Sequence, residues 1–216
     1  MGAPTAGETG ASEGASRAFA AIVDQIVFRE VNDRRWEDLT RLFEGRGGPK
    51  HCWCMVWRAQ GAETRNVAGR SRKAALKRRV RSGIPIGLLG YLDGEPVAWC
   101  SVAPRSTYRP LGGPEEPDRR PSEIWSIVCF FVVRRLRRMG VMERLLQAAV
   151  DHARHRGAKI IETYPVEADS PSYRFMGFVP QFSTAGFHEI GLAGTRRHVM
   201  RLHLTEDSHP VRTKSR

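Results

Sequence analysis

The hydrophobic residues of this chain recur either at every second position or at every third to fourth position, which are the periods of strands and helices. The Asp93-Gly94 pair between two such stretches is a strong hairpin signal. Strands are predicted over residues 25–31, 84–92, 95–103, 124–133, 159–164, 187–192 and 198–204. Helices are predicted over residues 33–43, 63–81, 139–156 and 179–185. This order of elements predicts a mixed α/β sheet in one domain.

The amino-acid composition narrows the class of protein to which the chain can belong. With 41% hydrophobic and 27% charged residues, the 216-residue chain is ordinary for a globular protein. Gly, Ala, Ser and Thr dominate residues 1–20, which together with 205–216 are predicted to be disordered tails around a domain at 21–204. The chain has no apolar run near the roughly 20 residues of a membrane span, and residues 1–20 do not resemble a signal peptide. We therefore expect a cytoplasmic protein without a membrane partner.

The net charge of +12 favours a polyanionic partner, which could be nucleic acid, an anionic membrane surface or a phosphate-rich cofactor. One segment, FFVVRRLRRMGVMERLL at residues 130–146, narrows this choice. An apolar strand there passes through a basic loop into a helix, whose first N–H groups and dipole attract anions. Gly140 allows the backbone to approach a bound group closely. The segment predicts a diphosphate site.

Residues 137–142, RRMGVM, resemble the Arg/Gln-x-x-Gly-x-Gly/Ala loop of the GNAT acetyltransferases. The resemblance implies a GNAT fold, with a mostly antiparallel sheet, a splayed parallel central strand pair and flanking helices. It also implies that the loop binds the pyrophosphate of acetyl-CoA through Arg137, Arg138, Met139, Gly140, Val141 and Met142. Backbone groups of Phe130, Phe131 and Val132 would contact the pantetheine arm. The segments CWCMVW and WSIVCFF resemble a bacterial subgroup of this family whose substrate is unassigned.

Two residues depart from the family loop. Met142 stands where a small residue is usual, and we expect its side chain to turn into the core. Arg138 stands where glycine is usual, so we expect a right-handed backbone there and an added phosphate contact.

The sequence indicates the residues that act as general acid and general base less clearly than it indicates the cofactor loop. FSTAGF at residues 182–187 resembles the family's helix ending beside the coenzyme A thiol, but Phe182 replaces the tyrosine that protonates the sulfur. Tyr173, four residues before Gly177-Phe178, is the alternative acid. Glu123 at the start of the central strand is the candidate base. The alternative is that Glu123 only pairs with Arg119 or Arg120.

Aromatic and cysteine residues outside the loop are candidates for an acceptor pocket, with plain core as the alternative. These residues are Cys54, Trp57, Trp99, Tyr108 and Trp125. No metal is expected, because His51, Cys52 and Cys54 give only three of the four ligands of a tetrahedral zinc site.

The leading hypothesis is an acetyl-CoA-dependent N-acetyltransferase that acts directly on the amine of a small molecule. A protein amine is one alternative acceptor. An aminoglycoside-like drug is another, for which Glu115, Glu116 and Asp118 would supply negative charge. The non-catalytic alternative is an acyl-CoA-sensing or nucleic-acid-binding regulatory protein. The strand and helix around the arginine cluster disfavour a nucleic-acid partner, and a homodimer stays open.

Overall fold

The computed structural model describes residues 21–65, 67–117 and 119–204. The predicted tails and Asp118 lie outside the described residues. The strands are β1 (Val27–Glu30), β2 (Leu88–Leu92), β3 (Glu95–Pro104), β4 (Ile124–Val132), β5 (Ile160–Thr163), β6 (His188–Ala193) and β7 (Arg197–His203). The main helices are α1 (Trp36–Glu44), α2 (Gly69–Arg81), α3 (Val141–His155) and α4 (Val179–Thr184).

The strands form one sheet in the order β1-β2-β3-β4-β5-β7-β6. β4 and β5 run parallel, and the other neighbouring strands run antiparallel. Helix α3 is the crossover between the two parallel strands, as a parallel connection requires. The predicted α/β fold class, with a mostly antiparallel sheet and one parallel central pair, is confirmed.

The helix predicted over 63–81 is wrong at its start. Residues Gly61–Arg65 form a separate 3₁₀ turn, and α2 begins only at Gly69. In the structure Glu63 accepts a 2.6 Å hydrogen bond from Arg79. A continuous helix would hold these residues about 24 Å apart along its axis, since each residue rises about 1.5 Å. The chain must therefore turn between them.

Two apolar layers cover the faces of the sheet. On one face, α1 and α2 enclose an aromatic cluster in which Phe43 contacts Trp53 at 5.1 Å and Trp99 at 5.4 Å between ring centroids. On the other face, α3 buries its apolar stripe, including Leu145 and Leu146, against the sheet. β4 is thus covered on both sides, which explains its nearly unbroken apolar sequence.

A fully buried arginine, Arg58, ties the loop after β3 to the sheet. Its guanidinium donates to the Ile86 carbonyl at 2.8 Å, to the Ser101 hydroxyl at 3.0 Å and to the Tyr108 hydroxyl at 2.7 Å. Burial raises the pKa of Tyr108 to about 12, so its hydroxyl stays neutral. These bonds fix the start of the long loop 105–121 on the face that carries α1 and α2.

We expect Leu145→Ala to lower the free energy of unfolding by about 2–5 kcal/mol, because Leu145 has no exposed surface and its loss leaves a cavity. Gln147→Ala, on the exposed side of the same helix, should change it by less than about 0.5 kcal/mol. Urea unfolding measures both. Equal effects of the two variants would contradict the placement of α3.

Candidate active site

β4 and β5 separate part-way along their length. They pair from Ile124 opposite Ile160 to Ile127 opposite Thr163. Beyond that point β4 continues to Val132, and within residues 21–204 as described it has no strand partner on that side. On the β3 side, Ser101 pairs with Cys129 and Val102 with Ile127, so Val128 is a bulge. A bulge bends its strand, and here it coincides with the separation.

A cleft of about 570 Å³ opens where the two strands have parted, a size typical of ligand pockets. One wall is formed by the end of β4, the loop after it and the first turn of α3, and the other wall by the segment 174–181. The lining residues are Phe130, Phe131, Val132, Leu136, Arg137, Arg138, Gly140, Val141, Met142, Glu143, Arg174, Phe175, Gly177, Phe178 and Gln181. Of the predicted cofactor residues, Met139 and Phe182 are the two that do not line it.

The amino end of α3 faces this cleft with its N–H groups free. The helix begins at Val141 after Gly140, whose φ of 83° is left-handed. The N–H groups of Val141, Met142 and Glu143 form no hydrogen bond within the described part of the chain. A Cβ placed on Gly140 would meet no atom within 4 Å, so the space in front of the helix is open. Free N–H groups and the helix dipole make this a site for an anion.

The arginines of the preceding loop add positive charge beside these N–H groups. Among the described residues, no carboxylate forms an ion pair with Arg134, Arg135, Arg137 or Arg138. The Nε of Arg137 donates to the Val132 carbonyl at 2.8 Å, which braces the unpaired end of β4. The other guanidiniums stay available for a ligand.

The expected right-handed backbone at Arg138 is wrong, because its φ is 63°. The turn from the extended Arg137 into α3 requires left-handed residues at both Arg138 and Gly140. A left-handed arginine costs about 1–2 kcal/mol relative to the right-handed form. The loop geometry, rather than the residue type, decides this conformation.

Met142, from the first turn of α3, and Phe182 both pack against Gly177 in the opposite wall of the cleft. Met142 is half-buried, packing on the core while lining the cleft. Phe182 is fully buried against Phe130 and Phe187, with ring centroids 6.1 and 5.5 Å away. The expectation that Phe182 lines the site is therefore corrected: its ring supports the wall from within the core. Both side chains approach Gly177, which has no room for a Cβ.

Glu123 lies in the turn before β4, at the far end of that strand from the cleft. Phe130 is seven positions further along the strand, a distance of about 23 Å at roughly 3.3 Å per residue. Its carboxylate accepts a 2.7 Å hydrogen bond from the Arg120 side chain, which lowers the pKa of Glu123. This position corrects the expectation of a base and favours the alternative of a pair with Arg120.

The predicted acceptor residues do not form one pocket. Trp125 lies on the α3 face of the sheet, 5.6 Å from His152, whereas the other four lie on the opposite face. Trp99 and Cys54 are buried core residues, and the Trp99 indole N–H donates to the Cys54 sulfur at 3.1 Å. Hydrogen bonds from Cys129 and Trp99 lower the pKa of the Cys54 thiol. For these three residues the structure supports the core alternative.

The surroundings of Trp57 differ from those of these core residues, because two arginines and a tyrosine contact its ring. Arg197 and Arg109 lie 4.6 and 5.3 Å from the ring centroid, and the Tyr173 ring lies 6.0 Å away. Tyr108 precedes Arg109 and is held by Arg58. Neither arginine is predicted from the sequence to lie here, since they come from a loop and a strand that are 88 residues apart in the numbering.

Within the described ranges, no group of three or more His, Cys, Asp or Glu side chains converges as a metal ion would need. In the same part of the chain, no helix is long and apolar enough to cross a membrane.

The sequence model of the GNAT acetyltransferase family matches residues 36–178 of this chain. That match covers more than half of the chain and includes most of the cleft lining, the basic loop and α3. The chain therefore belongs to the GNAT acetyltransferase family.

Solved structures with the same fold include yncA from Salmonella typhimurium with its cofactor acetyl-CoA, which is 16% identical with a TM-score of 0.52. The alignment covers 86% of this chain and 98% of that one. PaiA N-acetyltransferase from Thermoplasma acidophilum, in complex with coenzyme A, is 12% identical with a TM-score of 0.51, and the alignment covers 83% and 99% of the two chains.

A third structure with this fold is the ribosomal-protein-alanine N-acetyltransferase from Brucella melitensis, at 19% identity and a TM-score of 0.51, with 82% and 99% of the two chains covered. No curated protein sequence matches this chain.

Gly177→Ala should close part of the cleft and destabilise the fold. At φ 88° and ψ −178° the backbone is in a region that only glycine adopts readily, and a Cβ would lie 2.6 Å from the Met142 Cε. We expect a loss of about 1–3 kcal/mol or more in the free energy of unfolding.

Gly157→Ala is the matched control, because Gly157 has a φ of 87° but no atom within 4 Å of its Cβ position. Chemical unfolding of both variants compares a glycine whose Cβ would clash with a glycine of similar φ whose Cβ would meet nothing. A loss no larger in Gly177→Ala than in Gly157→Ala would contradict the packing described here.

Proposed function

We propose that this protein is an acetyl-CoA-dependent N-acetyltransferase that acetylates the amine of a small molecule. The observation that carries the proposal is the open amino end of α3, with free N–H groups and unpaired arginines, at the mouth of a cleft between two parted strands. The predicted cytoplasmic location and a homodimer remain predictions.

The residues present fit a diphosphate followed by a narrow arm. The N–H groups of Val141 and Met142 and the Arg138 guanidinium would hold the phosphates, since no side chain of the described residues occupies them. Gly140 leaves room for close approach. The unpaired edge of β4, from Phe130 to Val132, would hydrogen-bond the arm as a further strand does.

When bound, acetyl-CoA supplies the thioester whose carbon–sulfur bond breaks as the carbon–nitrogen bond of the product forms. Backbone N–H groups of β4 beyond Ile127 would stabilise the acyl oxygen during attack. A thiol with a pKa of about 8.5 leaves readily without a strong acid, so Phe182 in place of a tyrosine is compatible with transfer. Tyr173, 36% exposed and beside Trp57, remains the candidate acid.

The nucleic-acid-binding alternative has less support. Its best feature is the basic helix α2, but several of its cations have acidic partners. Lys73 contacts Glu44 at 2.7 Å, and Arg79 contacts Glu63 at 2.6 Å. A helix neutralised in this way is a weak site for phosphates.

Thermal stabilisation by acetyl-CoA and by a short DNA duplex, followed by thiol release with a panel of amines, tests the proposal. Stabilisation by acetyl-CoA and thiol release with an amine would support it. Stabilisation by DNA alone would refute it, and acetyl-CoA binding without release on any amine would favour a sensor.

We expect Arg138→Glu to weaken acetyl-CoA binding about tenfold or more, because it replaces a charge-assisted phosphate contact by repulsion. Arg70→Glu is the control, since Arg70 is exposed on α2 and the variant changes the net charge equally. Calorimetric titration gives both affinities. An unchanged affinity in Arg138→Glu would contradict the placement of the diphosphate beside Arg138.

A further inference from the structure

Two arginines contact the Trp57 ring on the sheet face that carries α1 and α2. The guanidinium of Arg197, at the start of β7, lies 4.6 Å from the ring centroid, and that of Arg109 lies 5.3 Å from it. Arg197 also lies 5.9 Å from the Tyr164 ring and 5.7 Å from the Tyr173 ring. The result is a compact group of two cations and three aromatic rings.

Neither cation has an acidic partner within the ranges that the structure describes. Burial lowers the pKa of Arg197, and the charged or titratable groups that act on it are Tyr173, Tyr164 and Arg109. Glu115, in the loop after Arg109, forms no ion pair with a described residue. The half-buried Arg197 feels the like charge of the exposed Arg109, which is unfavourable until an anion joins them.

Hydrogen bonds hold the Arg197 guanidinium and the main chain of Arg109 in position before any ligand arrives. Arg197 donates from Nη1 to the Leu111 carbonyl at 3.0 Å, and the backbone N–H of Arg109 donates to the Trp57 carbonyl at 3.0 Å. The Arg109 guanidinium itself is placed by its contact with the Trp57 ring. Beneath them Tyr108 is bonded to the buried Arg58. A site that is rigid in advance loses little entropy on binding.

This group lies next to the cleft. Tyr164 directly follows Thr163, the last residue of β5 that pairs with β4. The Tyr173 ring lies 6.0 Å from the Trp57 ring, and the Phe175 ring lies 6.3 Å from the Tyr173 ring. Phe175 lines the cleft. A small molecule held by the arginines could therefore place another part of itself at the parted strands.

We propose that the acceptor is a small amine that also carries an oxyanion, of the amino-acid kind, and that Arg109 and Arg197 bind this oxyanion. Trp57 and Tyr173 pack against the carbon skeleton of the acceptor. This inference rests on the proposed N-acetyltransferase function and names its substrate class. A polycationic acceptor does not fit, because it would meet two unpaired cations, and Glu116 of the acidic loop is already paired with Arg201.

The test uses N-acetyl-L-amino acids with small, aliphatic and aromatic side chains, and the matching N-acetyl-L-amino acid amides, which lack only the negative charge. Calorimetry measures their binding to the full chain with coenzyme A present. We expect at least one acid to bind about tenfold or more tightly than its amide, since a hydrogen-bonded charge typically contributes this much.

Arg109→Gln and Arg197→Gln should each reduce this preference to less than about threefold, while coenzyme A affinity stays unchanged. Arg109 is exposed, so its variant should fold normally, and Arg197→Lys should keep part of the preference because it keeps the charge. Arg196→Gln is the matched control: Arg196 is exposed, adjacent in sequence and bonded only to the Ser172 hydroxyl.

The inference would be overturned if acids and amides bound equally or if neither bound. It would also be overturned if Arg196→Gln reduced the preference for the acid as much as Arg109→Gln and Arg197→Gln do. Thiol release with free amino acids and with amino acid amides completes the test. Release with uncharged amines alone would keep the proposed function and overturn the anionic acceptor. Charge-dependent binding without release on any amine would support the anion site and refute the proposed function. If coenzyme A does not bind, the acid–amide comparison without it still decides.

Discussion

The separation of β4 from β5 after four residue pairs is the constraint on which the rest of the site depends. A buried strand that leaves its partner exposes N–H and C=O groups that must be satisfied in another way. The bulge at Val128 turns the strand away, and the side chain of Arg137 caps the Val132 carbonyl. The edge of β4 beyond Ile127 therefore stays unpaired and leads directly to the amino end of α3. The strand edge and the helix end face the same cleft.

A buried ionic cluster on β5 lies beside the point of separation. Glu162 has no exposed surface and accepts hydrogen bonds from Arg201 at 2.8 Å, from Arg105 at 3.1 Å and from Tyr164 at 2.9 Å. Removing a partner from such a cluster would leave a buried charge uncompensated, so the cluster resists movement. Glu162 lies opposite Ser126 of β4, one residue pair before the strands part, so the cluster makes β5 rigid next to the cleft.

The parts of the fold that depend on local sequence were predictable, and those that depend on distant residues were not. The apolar run of β4, the stripe of α3 and the loop around Gly140 each lie in one continuous segment. Glu123 was misjudged because its position in sequence beside β4 does not reveal which end of that strand meets the cleft. The group around Trp57 combines three distant segments, and no single pattern in the sequence brings Arg109 to Arg197.

The net charge of +12 becomes more informative when the cations that form ion pairs are separated from those that do not. Cations of α2 such as Lys73 and Arg79 are neutralised by carboxylates, whereas those at the basic loop and around Trp57 are not. Unpaired cations therefore lie at the basic loop that lines the cleft and in the group around Trp57 beside it. Positive charge at these two places attracts anions to both. In the proposed reaction, a diphosphate held at the basic loop and an oxyanion held beside Trp57 would leave the uncharged thioester and amine to meet between them.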